Sequence, residues 1–268
     1  MRNILTMVKM DVWRGIKEVT RYKLNFTLHL IMNLIWGLGL IIFSFIIDPA
    51  KLSSIGSSNY TIFLLIGISF QHYQSAALWV AWDIKNELTR GQIEYTFASP
   101  VSRYVYILSS SISSAVIGTL FGIIPMFATA LILLGSLPPV PALLMTCVVL
   151  LLTFLALCQI GVIMSSAILL FKDISAIMSF LNFLFQIGTG MFVPLQFMPE
   201  QLKTLAFLIP LTHGIDLSRH FIIGTSTVWP VEVELGMLFV FIIGIGLLSK
   251  ASIFYLEKKA KREGLALA

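Results

Sequence analysis

Six stretches of about twenty or more predominantly apolar residues organise this chain: Leu24–Ile47, Tyr60–Trp82, Tyr106–Gly135, Ala142–Phe171, Ile174–Val193 and Leu235–Leu256. Roughly 20 apolar residues in a helix cross the hydrocarbon core of a bilayer. Lipid offers no partner for a backbone amide, so a crossing must be a helix or part of a closed barrel. None of the six runs alternates apolar with polar residues as barrel strands do, so all six read as helices. With 57% hydrophobic and 12% charged residues and a mean hydropathy of +0.93, the chain departs from soluble domains, of which about a quarter is charged. The expected fold is all-α: a polytopic membrane protein with six transmembrane helices, residues 1–268 forming one transmembrane domain. The third and fourth runs exceed the bilayer thickness and must tilt or protrude. The first run starts only at Leu24, is longer than a signal-peptide core and precedes no Ala-x-Ala site, so it is expected to stay in the membrane. Cys147 and Cys158 lie eleven residues apart in one predicted helix, too distant to bond each other.

Basic residues set the orientation, because cytoplasmic segments near helix ends carry the excess of Lys and Arg. One side receives Arg2, Lys9, Arg14, Lys17, Arg21 and Lys23 before the first run, Lys85, Arg90 and Arg103 after the second, then Lys172, and finally Lys250, Lys258, Lys259, Lys261 and Arg262. The other side receives only Lys51, Lys203 and Arg219, although it owns the longest loop. Both termini are therefore expected in the cytoplasm of a multi-pass protein of the cell membrane. The net charge of +5 follows from this asymmetry. Anionic lipid headgroups account for it, and no nucleic-acid partner is implied.

Within residues 1–23, Leu5, Val8, Val12, Ile16 and Val19 recur at helical spacing, with Arg14, Lys17, Glu18 and Arg21 opposite them. This is an amphipathic helix for the cytoplasmic interface, flanked by Trp13 and Tyr22. It serves either as a passive anchor or as a lever that moves with a transport cycle. After the second run, residues 83–105 open with an acidic stretch that Gly91 can end as a left-handed cap. Asp83 suits the N-terminus of a short protruding helix there. Asp83, Lys85, Glu87, Arg90, Gly91 and Glu94 are the candidates for contact with a partner; the alternative is a solvated turn joining two spans.

Residues 194–234 are too polar to cross and too apolar for an ordinary loop. Pro199 with Glu200 suits a helix start, Pro210 its end, and a second helix should run from about Thr212 to Ile223 and stop at Gly224. The apolar Leu202, Leu205, Ala206 and Ile209 share one face of the first, so the pair is expected to dip back into the bilayer as an external re-entrant helix pair. Asp216 stands three and four residues before Arg219 and His220, and local ion pairing is favoured over substrate contact. Those histidines lack a third ligand at suitable spacing, so no metal site is assigned.

The Gly91 loop, with Glu94, Ser99-Pro100 and Arg103 behind it, and the Pro210-Leu-Thr-His213 run reaching Asp216, Arg219 and Gly224 before the last span, resemble ABC-2 type permeases. The likeness is greatest to the lipo-oligosaccharide and drug exporters of nodulation-factor and daunorubicin type. It implies that the cytoplasmic loop docks in a groove of a separate nucleotide-binding ATPase. Phe197, Pro199, Pro210, His213, Asp216, Arg219 and Gly224 would then belong to an external gate. The resemblance also implies a homodimer or a pairing with a paralogous permease subunit, and an amphiphilic substrate moved out of the cytoplasm or inner leaflet: a glycolipid, lipo-oligosaccharide or hydrophobic drug.

No Asp, Glu, Lys or Arg falls in the middle of a predicted span, where ion-coupled carriers place their mechanism. Neutral polar groups remain: His29, Asn33, Gln71, His72, Gln74, Gln159, Asn182 and Gln186. They either bond neighbouring helices or line a path for a polar head group; His29, Asn33, Gln71, His72, Asn182 and Gln186 are the candidate pathway residues. Ser110, Ser114, Gly118 and Gly122 form a small-residue ridge for close packing, and Pro125 should kink the helix above it. The sequence contains no His-Glu-x-x-His, no Gly-x-Ser-x-Gly and no Gly-Lys pair of a phosphate loop. Enzymatic chemistry is therefore not expected in this chain; ATP and Mg belong to the partner subunit, and no cofactor is assigned here. A channel or structural membrane protein without an ATPase partner is the alternative.

Overall fold

The computed structural model describes residues 4–44, 60–98, 101–134, 138–171 and 174–263. Among them every regular element is helical. The chain opens with α1 (Ile4–Arg21), whose amphipathic pattern lays it along the helix that begins at Arg103, and turns at Tyr22 into α2 (Lys23–Ser44). Then α3 (Tyr60–Ser69) and α4 (Gln71–Thr89) follow end to end, with only Phe70 between them and its amide bonded to Gly67 O at 3.2 Å. Next come α5 (Ile93–Ala98) and α6 (Arg103–Gly118), a π-helical turn at Thr119–Ile123, and α7 (Ile124–Leu134). The second half holds α8 (Val140–Phe171), α9 (Ser175–Gly188), α10 (Glu200–Phe207), α11 (Pro210–Ile223) and α12 (Val231–Glu263).

Among the described residues three helices are long and apolar enough to cross a membrane: Arg103–Thr129 with its π turn, Val140–Phe171 and Val231–Lys259. The fifth run behaves differently from the expectation over 174–193. Only 14 residues of it are helical, about 21 Å by helical rise, before the chain turns at Gly190 (φ 73°). Pro125 acts as expected but one turn early. Its ring cannot sit against the carbonyl of residue 121, and the ladder widens to a π turn immediately before it.

The packing centre is α8, crossed by α4, α11 and α12. Gly161 makes the α4 crossing close: a Cβ there would lie 2.7 Å from Ala77 O. Among the described residues three apolar clusters result: the first joins Phe70, Tyr73, Leu157 and Ile215, the second Val80, Ile84, Ile93, Val162 and Ile168, and the third Val149, Leu152, Leu217 and Leu238. Hydroxyls inside the bundle bond back to their own helices, Thr153 to Val149 O and Ser165 to Gly161 O, both at 2.8 Å. Gln159 is an interhelical tie, accepting from Ser249 at 2.6 Å and Tyr104 at 3.2 Å. Apolar side chains face outward along α9 and α12, among them Phe180, Phe183, Leu247 and Phe254, as a lipid-facing exterior requires.

Candidate functional site

The first part of the loop expected over residues 83–105 is an extension of the preceding helix. The short helix expected to begin near Asp83 does not exist as a separate element: α4 runs unbroken from Gln71 to Thr89, and Asp83 sits within it. Gly91 does end it. Its φ is 67°, Gln92 donates to Glu87 O at 2.9 Å and Gly91 to Leu88 O at 3.1 Å, the paired bonds of a left-handed C-terminal cap. The chain continues into α5, where Ile93 is fully buried in the second cluster while Glu94 and Tyr95 face outward, Tyr95 being 83% exposed.

Two of the other candidates for partner contact, Lys85 and Glu87, are engaged within the bundle, whereas Asp83 and Arg90 are exposed. Lys85 donates to Ser175 at 2.7 Å and lies over the Trp82 ring, joining α4 to the start of α9. Glu87 accepts from the Tyr106 hydroxyl at 2.5 Å. On the far side, Asp11 of α1 accepts from Ser109 of α6. A polar chamber of about 540 Å³ opens between α1, α4 and α6, lined by Asp11, Arg14, Glu18, Asp83, Glu87 and Arg90. Partial burial, with Glu87 and Glu18 adding repulsion against the pull of Arg14, raises the Asp83 carboxyl above its ordinary pKa.

On the opposite side of the bundle the expected helix pair forms, with one change of boundary. Pro210 begins α11 as its first residue, where a missing N–H costs nothing, while α10 ends at Phe207. Gly224 closes α11 with φ 72° and its amide on His220 O. Nearly all of α11 is buried, including His213, Asp216 and Arg219, whereas Leu205 and Leu208 of α10 stay exposed.

Arg219 overturns the local ion pair expected with Asp216. Its guanidinium donates to Phe63 O at 3.1 Å, Gly190 O at 2.7 Å and Met191 O at 2.8 Å, and stacks 3.4 Å from the centre of the Phe63 ring. Two of those carbonyls follow the C-terminus of α9, the negative end of a helix dipole, which supports a buried cation without a carboxylate. Burial pulls its pKa down to about 9, which leaves it charged at neutral pH. One side chain thus clamps α3, the end of α9 and α11 together.

Asp216 turns elsewhere. It accepts from Val228 N at 2.9 Å, and Glu234 of α12 accepts from the next amide, Trp229 N, at 3.4 Å. Glu234 Oε2 is buried without a hydrogen-bond partner, so the two carboxyl groups meet only through these neighbouring amides. Burial raises the Asp216 carboxyl. Glu234 was not among the sequence candidates because it reads as an acidic residue in the first turn of a helix. His220 bonds Thr225 O at 2.8 Å. His213 bonds Phe207 O at 2.9 Å within a box of Phe207, Trp229 and Phe241. Pro199 caps α10, and half-exposed Phe197 closes the turn before it.

Residues 6–223 match the ABC-2 type transporter family. The chain belongs to that family. No curated protein matches it. As an ABC-2 type transporter, the chain is an integral membrane protein and the permease component of an ABC transporter, a transport part in a family that generally works with an ATPase subunit.

Within this permease the intramembrane candidates separate. Gln74 donates to Asn182 Oδ1 at 2.5 Å and to its carbonyl at 3.2 Å, so Asn182 joins α4 to α9 as helix-packing glue. Gln186 is half-buried one turn on, and Gln71 opens α4. His72 lies against α6 where Gly118 and Gly122 leave room; a Cβ on Gly122 would run into its ring. The small-residue ridge is therefore the slot for one histidine. The side chains of His29 and Asn33 lie outside the described residues.

Proposed function

We propose that this permease exports an amphiphilic substrate, a glycolipid, lipo-oligosaccharide or hydrophobic drug, out of the cytoplasm or inner leaflet by alternating access, driven by a separate nucleotide-binding ATPase. It crosses the plasma membrane six times with both termini in the cytoplasm and works as a pair, with itself or with a paralogue. The α5 turn is the docking point. Arg90, Gly91, Glu94 and the exposed Tyr95 meet the ATPase, while Lys85 and Glu87 transmit the movement inward. The observation that carries the reading is mechanical. α4 continues without a break from the bundle to the cap at Gly91, so a push on α5 reaches Phe70 and the first cluster through one rigid rod. At the far end α10 and α11 close the exit, held by Arg219.

Co-expression with a candidate nucleotide-binding subunit tests this directly. The expected result is co-purification, ATP hydrolysis only when that subunit is present, and ATP-dependent movement of a fluorescent amphiphile in inverted vesicles. ATP hydrolysis by this chain alone, or ATP-independent passage of ions, would overturn it in favour of another class.

A further inference from the structure

The polar chamber between α1, α4 and α6 does not end at the bundle surface. A second cavity of about 370 Å³ shares Asp83, Ser114 and Ile117 with it and continues toward the membrane interior. Its walls are apolar and aromatic: Phe26 of α2, Trp79 of α4 and Phe121 of the π turn, with Gly118 and Gly122 as a floor beside His72. The two spaces have opposite character. The chamber holds four carboxylates, Asp11, Glu18, Asp83 and Glu87, against two guanidiniums, Arg14 and Arg90. Glu87 Oε2 is shielded from solvent and has no hydrogen-bond partner. Each volume falls in the roughly 300–1,000 Å³ range of small-molecule sites.

From this juxtaposition we infer that the joined cavities form a lateral docking site for a single-chain amphiphile with a cationic head group, head in the acidic chamber and chain in the aromatic groove. Charge complementarity selects the head. A positive group relieves the repulsion that Glu87 and Glu18 exert on Asp83, whereas an anionic head would add a fifth negative charge. Shape selects the tail. Trp79 is 60% exposed at the groove mouth, so a chain can slide in sideways from the inner leaflet without crossing the polar surface. Gly15 lets α1 sit close over Ile117 as the roof, so movement of α1 opens or shuts the entrance. The site deepens the export reading by naming its substrate's charge, and rests on that reading only for the direction of travel.

The test uses the full chain in phosphatidylcholine nanodiscs and a dodecyltrimethylammonium probe with a photoreactive group on its chain, its adducts mapped by mass spectrometry. Adducts are expected at Phe26, Trp79 or Phe121, competed by unlabelled dodecyltrimethylammonium and not by dodecyl sulfate or dodecyl maltoside. The Asp83→Asn and Glu18→Gln pair should weaken labelling by about tenfold, the scale of a lost charge contact. Asp83→Glu should restore it, and Ser114→Phe should block it at the junction. Equal competition by the sulfate, adducts confined to other surfaces, or labelling indifferent to these substitutions overturns the site. Binding needs no ATPase. Intact labelling without ATP-driven transport would count against the export reading, and intact ATPase coupling without labelling would count against the site alone.

Discussion

The guanidinium of Arg219 lies 3.4 Å from the centre of the Phe63 ring and donates to the Phe63 carbonyl, so a single residue of α11 holds a single residue of α3 by face and by backbone. Gly67 makes this possible, because a Cβ there would collide with the guanidinium. Replacing Arg219 by Ala leaves the carbonyls of Phe63, Gly190 and Met191 without their donor and opens a void. The expected loss is more than about 3 kcal/mol, read as a large drop in the unfolding temperature of the detergent-solubilised protein. Arg219→Lys should rescue little, since an ammonium lacks the planar fork that reaches three carbonyls and stacks on a ring.

Close helix crossings yield a second expectation. Gly161→Ala places a methyl 2.7 Å from Ala77 O, a backbone atom that cannot step aside, so α4 and α8 must separate. A cost of about 1–3 kcal/mol is expected, the usual range for overpacking. Gly244→Ala in α12 meets nothing within 4 Å and should be neutral or slightly stabilising through helix propensity. Thermal unfolding of the two variants side by side decides it; equal losses would show that the α4 crossing is not tight.

The α5 turn separates docking from packing. Tyr95→Ala removes an exposed ring with no structural duty, so co-purification with the ATPase should fall by about tenfold or more while the unfolding temperature stays unchanged. Ile93→Ala should instead lower the unfolding temperature, costing about 2–5 kcal/mol, because Ile93 is fully buried in the second cluster. A Tyr95 variant that binds normally would move the docking face elsewhere.

Much of this was legible from local chemistry. Gly91 reads as a left-handed cap and Gly224 as a helix stop from their places after helical patterns, and both have positive φ. The amphipathic start and the helix pair after Pro199 likewise follow from periodicity and proline. What was hidden depends on distant partners. Arg219 looked like the neighbour of Asp216 because only spacing along one helix is visible in sequence; its acceptors come from residues 63, 190 and 191. Asp83 looked like a helix start because an acidic residue follows an apolar run, whereas packing against α6 and α8 carries the helix through it. Asn182 reads as one of the better pathway candidates beside Gly188 and Gly190, and only the Gln74 amide from α4 shows it tying two helices.

The Asp216 and Glu234 pair leads to a pH dependence whose sign is fixed by burial, which favours the protonated Asp216 carboxyl. Their amide donors, Val228 and Trp229, are consecutive, so the carboxyl groups are held together by the loop that joins α11 to α12. Arg219 and His220 are the cationic neighbours, and both oppose the burial that raises the Asp216 carboxyl. A folded state that keeps a proton which the unfolded chain releases at ordinary carboxylate pKa values gains stability as pH falls through the raised value. The gain is complete below the unfolded pKa, and it disappears as the pair is forced to ionise at higher pH. Glu234→Gln removes the second carboxyl that has to ionise. Its unfolding temperature should stay close to that of the parent protein at mildly acidic pH, and its fall from pH 6 to pH 9 should be shallower. Glu234→Ala should lose stability across the whole range, because the Trp229 amide then loses its acceptor. If Glu234→Gln keeps the parent's slope, Glu234 takes no part in the pH dependence.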